Sequence, residues 1–542
     1  MGVVECDVRR RCSDRVVKMI IVNNVNVSLD TDFSDVKKIA ARTLKINESE
    51  VLSAHLHRKS VDARKKSDVH FCVSVVAELK NEAKLLKKNK NVACFAEKEY
   101  EWKRVNSNIR PVVVGFGPAG MFAALSLARA GLRPIVLERG RDVDSRTRDV
   151  QSFFNGGDIN PESNVQFGEG GAGTFSDGKL NTGIKDIRCR TVLREFVRFG
   201  AQSDILIDAK PHIGTDILKN VVKNLREEIK SLGGEIRFES RLDDVEIKEN
   251  ALVSITVNGE KTPCEALILC IGHSARDTFL MLKDNGISME RKPFAMGVRI
   301  EHLQSRINRA LYGDFAEHPA LSAADYKLVV HPENVRGVYT FCMCPGGEVI
   351  NASSEKGGIA VNGMSESKRA GKNANSALLV GVEPSDLSGD DVLEGCHFQM
   401  QIEQKAYKIG GGAVPVTTVG HFLNGKRAEF GSVKPTVRPQ TVFAELEDIY
   451  PAFITDSLKQ GISLMNEKID GFADADAIIT APETRSSSPV RILRDTSGQS
   501  QNVKGIYPCG EGAGYAGGIM SAAVDGIKTA EKLIENLRGE KI

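Results

Sequence analysis

The stretch Pro111-Val-Val-Val-Gly-Phe-Gly-Pro-Ala-Gly-Met-Phe-Ala-Ala-Leu-Ser-Leu-Ala-Arg-Ala-Gly-Leu-Arg-Pro-Ile-Val-Leu-Glu138 does most to limit what this chain can fold into. An apolar strand runs to Val114, and three glycines follow at the spacing Gly115-x-Gly117-x-x-Gly120. A helix with small residues at Ala123, Ala124 and Ala128 comes next, Gly131 closes it, and a second apolar strand ends on Glu138. Alone, such glycines say little. Set between a strand and a helix, with an acid about 20 residues on, they mark a dinucleotide-binding βαβ unit. The first glycine allows the tight turn, the second lets backbone approach a pyrophosphate, and the third lets helix pack on strand. Free N–H groups at the helix start, from Ala119 on, past Pro118 whose ring nitrogen has none, then face the phosphates. Glu138 is placed to accept both ribose hydroxyls, with Arg139 beside it.

This pattern serves FAD and NAD alike, and four later features favour FAD. The loop Phe167–Leu180 is a second glycine-rich segment, with Gly170, Gly171, Ala172, Gly173 and Thr174 at its centre, and it lies about where flavoproteins wrap the edge of the flavin ring. Asp216–Leu232 has the spacing of an amphipathic helix. Glu235–Ile247 and Ala251–Val257 read as a β-meander leading to the apolar strand Ala266–Gly272. Last, Tyr507-Pro-Cys-Gly-Glu-Gly-Ala-Gly-Tyr-Ala-Gly-Gly518 follows a short strand and opens a helix near Gly517 and Ile519. There Gly510, Gly517 and Gly518 let backbone pass close to a flat ring, and Glu511 can hold a ribityl hydroxyl or a pyrophosphate-bound water. Within this stretch Cys509 reads as a small residue packed at a strand end rather than a working thiol.

A length of 542 residues with 41% hydrophobic and 27% charged residues indicates a soluble chain of about three domains. No apolar run approaches a membrane span, and the first residues lack a secretory h-region, so the expected place is the cytoplasm, with no membrane partner. Eleven scattered cysteines, none in Cys-x-x-Cys, read as reduced thiols; Cys342-Met-Cys344, the one close pair, reads as buried structure. No cluster suggests a metal. Residues 1–104 carry 22 lysines and arginines against 15 acids, although the whole chain is only +2. This basic head reads as βαββα: Val16–Leu29 strand, Asp35–Leu44 helix capped by Ser34, Val51–Arg58 and His70–Leu79 strands, then Asn81–Lys90 as helix or turn. Lys59–Arg64 is placed in a loop.

The expected fold is α/β: a discontinuous Rossmann-like FAD-binding domain (105–290 and 471–542), an inserted mixed-sheet substrate or cap domain (291–470), and an N-terminal ferredoxin-like α+β domain (1–104). In the middle segment Phe294–Glu301, Lys327–Val330 and Gly337–Cys342 look like strands, and Gly363–Asn375 like a polar loop.

These residues together resemble a family of bacterial-type FAD-dependent dehydrogenases of undefined substrate, in the wider superfamily of glutathione-reductase-like and para-hydroxybenzoate-hydroxylase-like folds. The resemblance covers most of the chain. Its specific pieces are Gly115–Gly120, Phe167–Gly173, Lys210–Asp216, Ile271-Gly272-His-Ser-Ala-Arg276, Phe294–Glu301, Thr484–Arg491 and Tyr507–Gly512. It implies FAD as cofactor and oxidoreductase activity. Where that superfamily usually has Asp, this sequence has Glu511.

Between 140 and 505 the spacing Gly-x-Gly-x-x-Gly recurs only at Gly168–Gly173, in a loop too irregular to be the strand-turn-helix of a second dinucleotide site, so any NAD(P)H has to dock transiently. Hydride transfer to flavin needs no protein nucleophile. The reading is therefore an FAD-dependent dehydrogenase for a small anionic organic substrate. Arg485 and Arg491 are the first candidates for its anchor, because a guanidinium forks onto a carboxylate. His212 and His273 are candidate proton donors. Two further classes stay open: a flavoprotein acting on RNA through the basic head, and a non-catalytic flavin-binding sensor.

Overall fold

The computed structural model describes residues 19–81, 90–425 and 429–539, which fall into two compact units. The described residues up to Tyr100 form the first unit together with Ser203–Pro211 and Leu311–Ser322, two segments that nothing in the sequence tied to the head. Its strands Met19–Val27, Val51–Asp62, His70–Leu79 and Val92–Cys94 make one antiparallel sheet. The first and third strands lie side by side at its centre, with the second and fourth outside them. Alternate positions Ile20, Val22, Val73 and Val75 point into a core shared with Ala40 and Leu44 of the helix Val36–Leu44. Asp35, rather than Ser34, caps that helix by accepting from the Lys38 N–H. Lys59–Asp62 is strand and not loop, because these residues pair with Val73, Cys72, Phe71 and His70. The basic segment Asn81–Lys90 lies largely outside the described residues. Cys94 is disulfide-bonded, an exception to the expectation of reduced thiols.

In the second unit the strands Ile506–Pro508, Leu267–Leu269, Val112–Val114, Ile135–Leu137 and Glu235–Arg237 form a parallel sheet in that order. The three middle strands are short apolar runs, as expected of parallel strands covered on both faces. The helices Pro118–Ala130 and Ile519–Arg538 pack together on it, so closely that a Cβ on Gly526 would stand 2.2 Å from the Ala119 carbonyl. Glu235–Arg237 belongs to this sheet and not to the meander, which is Leu242–Lys248, Ala251–Val257 and Glu260–Pro263.

A seven-stranded mixed sheet runs Val329–Val330, Val338–Cys344, Asn373–Val382, Phe294–Leu303, Ile478–Glu483, Val414–Thr418, Thr441–Phe443, with only the last pair parallel. It takes in Ile478–Glu483, past the boundary read at 470. The segment read as the loop 363–375 is a loop only between the strands Val361–Met364 and Asn373–Val382. Among the described residues no helix is long and apolar enough to cross a membrane.

Candidate functional site

The turn after Val114 takes the shape its glycines allow. Gly115 has φ +92°, and a Cβ there would stand 2.3 Å from the Cys270 carbonyl oxygen. A Cβ on Gly120 would stand 1.9 Å from the Gly115 carbonyl. Gly117 starts the helix Pro118–Ala130, whose first turn has no side-chain cap. Its N–H groups and the positive end of the helix dipole are thus left to an anion. The loop from Gly168 lies over this turn: Gly170 N–H donates to the Phe116 carbonyl at 2.9 Å, and a Cβ on Gly171 would come within 2.9 Å of Gly117 Cα.

Glu138 is buried at the end of its strand and already bonded. Oε2 accepts from Phe116 N–H at 2.8 Å, and Oε1 from Gly140 and Gly168 N–H at 2.9 Å each. An ionised carboxylate has about four acceptor positions, so one remains. The expectation that it takes both ribose hydroxyls therefore narrows to one. Arg139 is held by Glu162 and, through both Nη atoms, by Asp277, with its guanidinium over the Phe167 ring. With Gly140, Arg141, Asn160, Ser163 and Arg241 it lines a cavity of about 320 Å³.

The late glycine loop meets the same region from the other side. Gly510 N–H donates to Asp525 at 2.8 Å, and Arg494 clamps that carboxylate through both Nη atoms while lying 3.7 Å over the Tyr515 ring. A Cβ on Gly512 would stand 2.3 Å from the Gly272 carbonyl, where Gly272 turns with φ +70°. His273 Nδ1 then lies 3.4 Å from Glu511 Oε1, while the buried His273 Nε2 has no partner. Around Gly517 and Gly518 the space is open, and the helix Ile519–Arg538 that follows has no side-chain cap. Ile519 faces Gly173, so the two glycine loops meet there. Cys509 is fully buried beside Cys270, and burial pushes its thiol far up, as befits an inert packing residue.

Sequence reasoning missed the residue that holds the glycine-rich loop at 164–171 together. Arg146, fully buried on the helix Val143–Phe154, donates to five backbone carbonyls: Asn164 (2.8 Å), Val165 (2.9 Å), Gly168 (3.2 Å), Glu169 (2.7 Å) and Gly171 (2.9 Å). It also stacks on Phe175. Burial lowers its pKa to about 10, opposed by Glu138 and Glu169. Glu169 accepts from Val143 N–H and Arg226 on Oε2, its Oε1 has no partner, and burial raises it to about 7. Thr174 serves the loop as well, its hydroxyl donating to the Glu169 carbonyl and its own carbonyl accepting from Thr215. Ala172 opens the short turn Ala172–Phe175.

The candidate substrate residues separate. Arg485 is committed to Glu403 through Nε (3.0 Å) and Nη2 (2.8 Å), and its Nη1 to Ser354. Arg276 grips the same carboxylate, which these two cations hold far below the usual range against the effect of burial. The fork of Arg485 is therefore not available as the anchor that the sequence suggested. Arg491 pairs with Glu290 through Nη1, but its Nε has no partner, and it lies against Gly514. His212 contacts the Ser367 carbonyl through Nε2 and is lowered by burial, which disfavours its protonated form.

At the far end of the first glycine loop is a buried charged cluster that the motifs did not announce. Asp177 accepts from both Nε (3.0 Å) and Nη2 (2.5 Å) of Arg369, from Ser365, and from Lys179 at 2.9 Å. Arg299 forks onto Glu483 at 2.8 and 3.2 Å.

Residues 293–486 match the family model described as FAD-dependent protein, C-terminal domain-like, and residues 19–78 a domain of unknown function, DUF8436. An uncharacterized protein of Clostridium beijerinckii is 50% identical over 525 residues, 95% of this chain and 98% of that one. The chain belongs to that protein's family. Among solved structures it is similar to the flavin-dependent brominase Bmp2 (11% identity, TM-score 0.36, 80% of each chain), a Bacillus cereus glycine oxidase (11%, 0.32, 80% of this chain and 96% of that) and P. aeruginosa PqsL (13%, 0.34, 79% and 86%).

Proposed function

We propose that the protein is an FAD-dependent dehydrogenase of the glutathione-reductase-like and para-hydroxybenzoate-hydroxylase-like class, moving hydride between flavin N5 and a small anionic organic substrate. One observation carries the reading: two uncapped helix N-termini, at Pro118 and Ile519, are joined by glycine loops at Gly171 and Gly173, beside a strand-end carboxylate with one acceptor position left. That cradle fits a dinucleotide. The open space at Gly517 and Gly518 suits a flat ring, and the match of residues 293–486 to an FAD-dependent family supports the choice of FAD.

Bound there, FAD supplies a two-electron carrier. The chain's own groups do the positioning. N–H groups of Ala119 and Gly120 would hold the pyrophosphate, Glu138 would take one ribose hydroxyl, and the cavity beside Gly140 would receive the adenosine end. The N-terminus of Ile519–Arg538 favours negative charge by about 0.3–1 kcal/mol, and up to about 2 when partly buried. Arg491, whose side chain is partly exposed, with Lys292 nearby, is the group offered to the substrate's anion. His273, beside Glu511, is the candidate proton carrier.

The visible spectrum of the purified protein tests this directly. The expected result is a yellow protein, or uptake of added FAD with quenched fluorescence, followed by bleaching with a donor under anaerobic conditions. A colourless protein that takes up no FAD would refute it.

A further inference from the structure

The strand Val338–Cys344 does not run straight to its end. Phe341 pairs with Ala377 but Cys344 pairs with Asn375, so the ladder slips between them, and Cys342 takes φ +41°. A positive φ is uncommon outside glycine and strains the backbone. The distortion has a chemical result. It folds the tripeptide so that the Cys344 S–H reaches the Cys342 carbonyl at 3.3 Å. Arg299 Nη1 donates to the Cys342 carbonyl at 3.1 Å and lies 3.9 Å from Cys344 Sγ, while Lys179 Nζ donates to the Met343 carbonyl. Cys344 is fully buried, and Cys342 keeps part of its surface exposed.

Charge points the same way. Three cations around this segment, Lys179, Arg299 and Arg369, pair with two carboxylates, Asp177 and Glu483. Nearby Glu301 is pushed up by burial, and burial disfavours the charged form of His212. An excess buried cation is costly unless an anion joins it. The Cys344 thiol, with Lys179 and Arg299 behind it, brings the Cys342 thiol down against burial, and Cys344 rises correspondingly.

We propose that Cys342 and Cys344 are a redox-active pair, with Cys342 the attacking thiolate and Cys344 the resolving thiol, that exchanges with low-molecular-weight disulfides. The Cys342 thiolate attacks one sulfur of such a disulfide, forms a mixed disulfide and releases one small thiolate. Cys344 then attacks the Cys342 sulfur, its proton passes to the departing group, and the second small thiol leaves. Two protein thiols are oxidised and one small disulfide is reduced to two thiols. The proposal does not rest on cofactor binding. It also replaces the sequence reading of this pair as buried structure only.

The test is alkylation of the full-length protein with iodoacetamide at pH 6, followed by peptide mass spectrometry. Thiolate fraction, offset by the lower nucleophilicity of an acidic thiol, gives Cys342 a rate about ten-fold above that of half-exposed Cys189. Oxidised glutathione is then expected to remove two hydrogens from the peptide spanning 342–344. With Cys344→Ser it is expected to stop at a glutathione adduct on Cys342. Lys179→Met should move the pH midpoint of alkylation upward. Wild-type protein in which Cys342 reacts no faster than Cys189, or whose 342–344 peptide stays a dithiol in excess oxidised glutathione, overturns the proposal.

Discussion

Arg146→Met removes the hub of the glycine-rich loop at 164–171 while keeping the length of its side chain. Five carbonyls, on Asn164, Val165, Gly168, Glu169 and Gly171, lose their donor in a fully buried place. Leaving a buried polar group unpaired costs about 1–3 kcal/mol each, so a rigid loop would lose about 5–15 kcal/mol. The loop will not stay rigid. It opens to water instead, and the realised cost is that of breaking a buried charged network, about 3–5 kcal/mol. Glu138 also loses a neighbouring cation. If FAD binding must re-form the loop, about 3 kcal/mol reads as an affinity about 150-fold weaker, at 1.4 kcal/mol per decade. Titration of FAD into the protein, followed by quenching of flavin fluorescence, measures this. Limited proteolysis at 164–171 reports the opening independently. Arg146→Lys keeps the charge but offers three donors on one nitrogen, and should fall between. If Arg146→Met folds, binds FAD within threefold of the parent and resists cleavage at the loop, the reasoning is wrong.

Two further outcomes follow from the same geometry. Glu169, raised from an ordinary 4.5 to about 7, contributes stability below pH 4.5 that is lost as pH rises through 7, about 3 kcal/mol in all. In urea melts Glu169→Gln should therefore gain on the parent between pH 5 and pH 8, and a constant difference would remove the assignment. Gly120→Val and Gly517→Val should both lose FAD, yet only the first should lose thermal stability. A Cβ at Gly120 meets backbone at 1.9 Å, whereas at Gly517 it meets nothing within 4 Å. Equal stability losses in the two variants would show that the space at Gly517 is filled by the chain itself rather than reserved for a ligand.

What was legible in the sequence was whatever one short segment decides. Gly115 and Gly120 announced a turn because only a missing Cβ permits the approach of Cys270 and Gly115 oxygens. The apolar run at Leu267–Leu269 and the helix Thr215–Ser231 were readable from local pattern alone. What was not legible depended on partners from distant parts of the chain. Arg146 looked like one more polar residue on a helix, because its five acceptors are backbone carbonyls and carry no side-chain signature. Arg485 looked free for a substrate because Glu403, some 80 residues earlier, was not known to face it. That the strand Ile478–Glu483 joins the mixed sheet across the boundary read at 470 was not legible, because its ladder partners, at 297–301 and 416–418, are remote.

The cysteines show the difference most sharply. Cys270 and Cys509 extend neighbouring parallel strands and lie side by side under the glycine turns, where apolar packing and burial push the Cys509 thiol up. Cys342 and Cys344 read as the same kind of residue, small and set in an apolar strand. Their neighbours, however, are Lys179, brought in by the glycine-rich loop, and Arg299, brought in through the central strand Phe294–Leu303. Thiol reactivity follows the charge around the sulfur and not the residue's place in a hydrophobic pattern. Sequence spacing finds pairs such as Cys-x-x-Cys because both partners are local, and it passes over a Cys-x-Cys whose activating cations come from about 40 and 160 residues away.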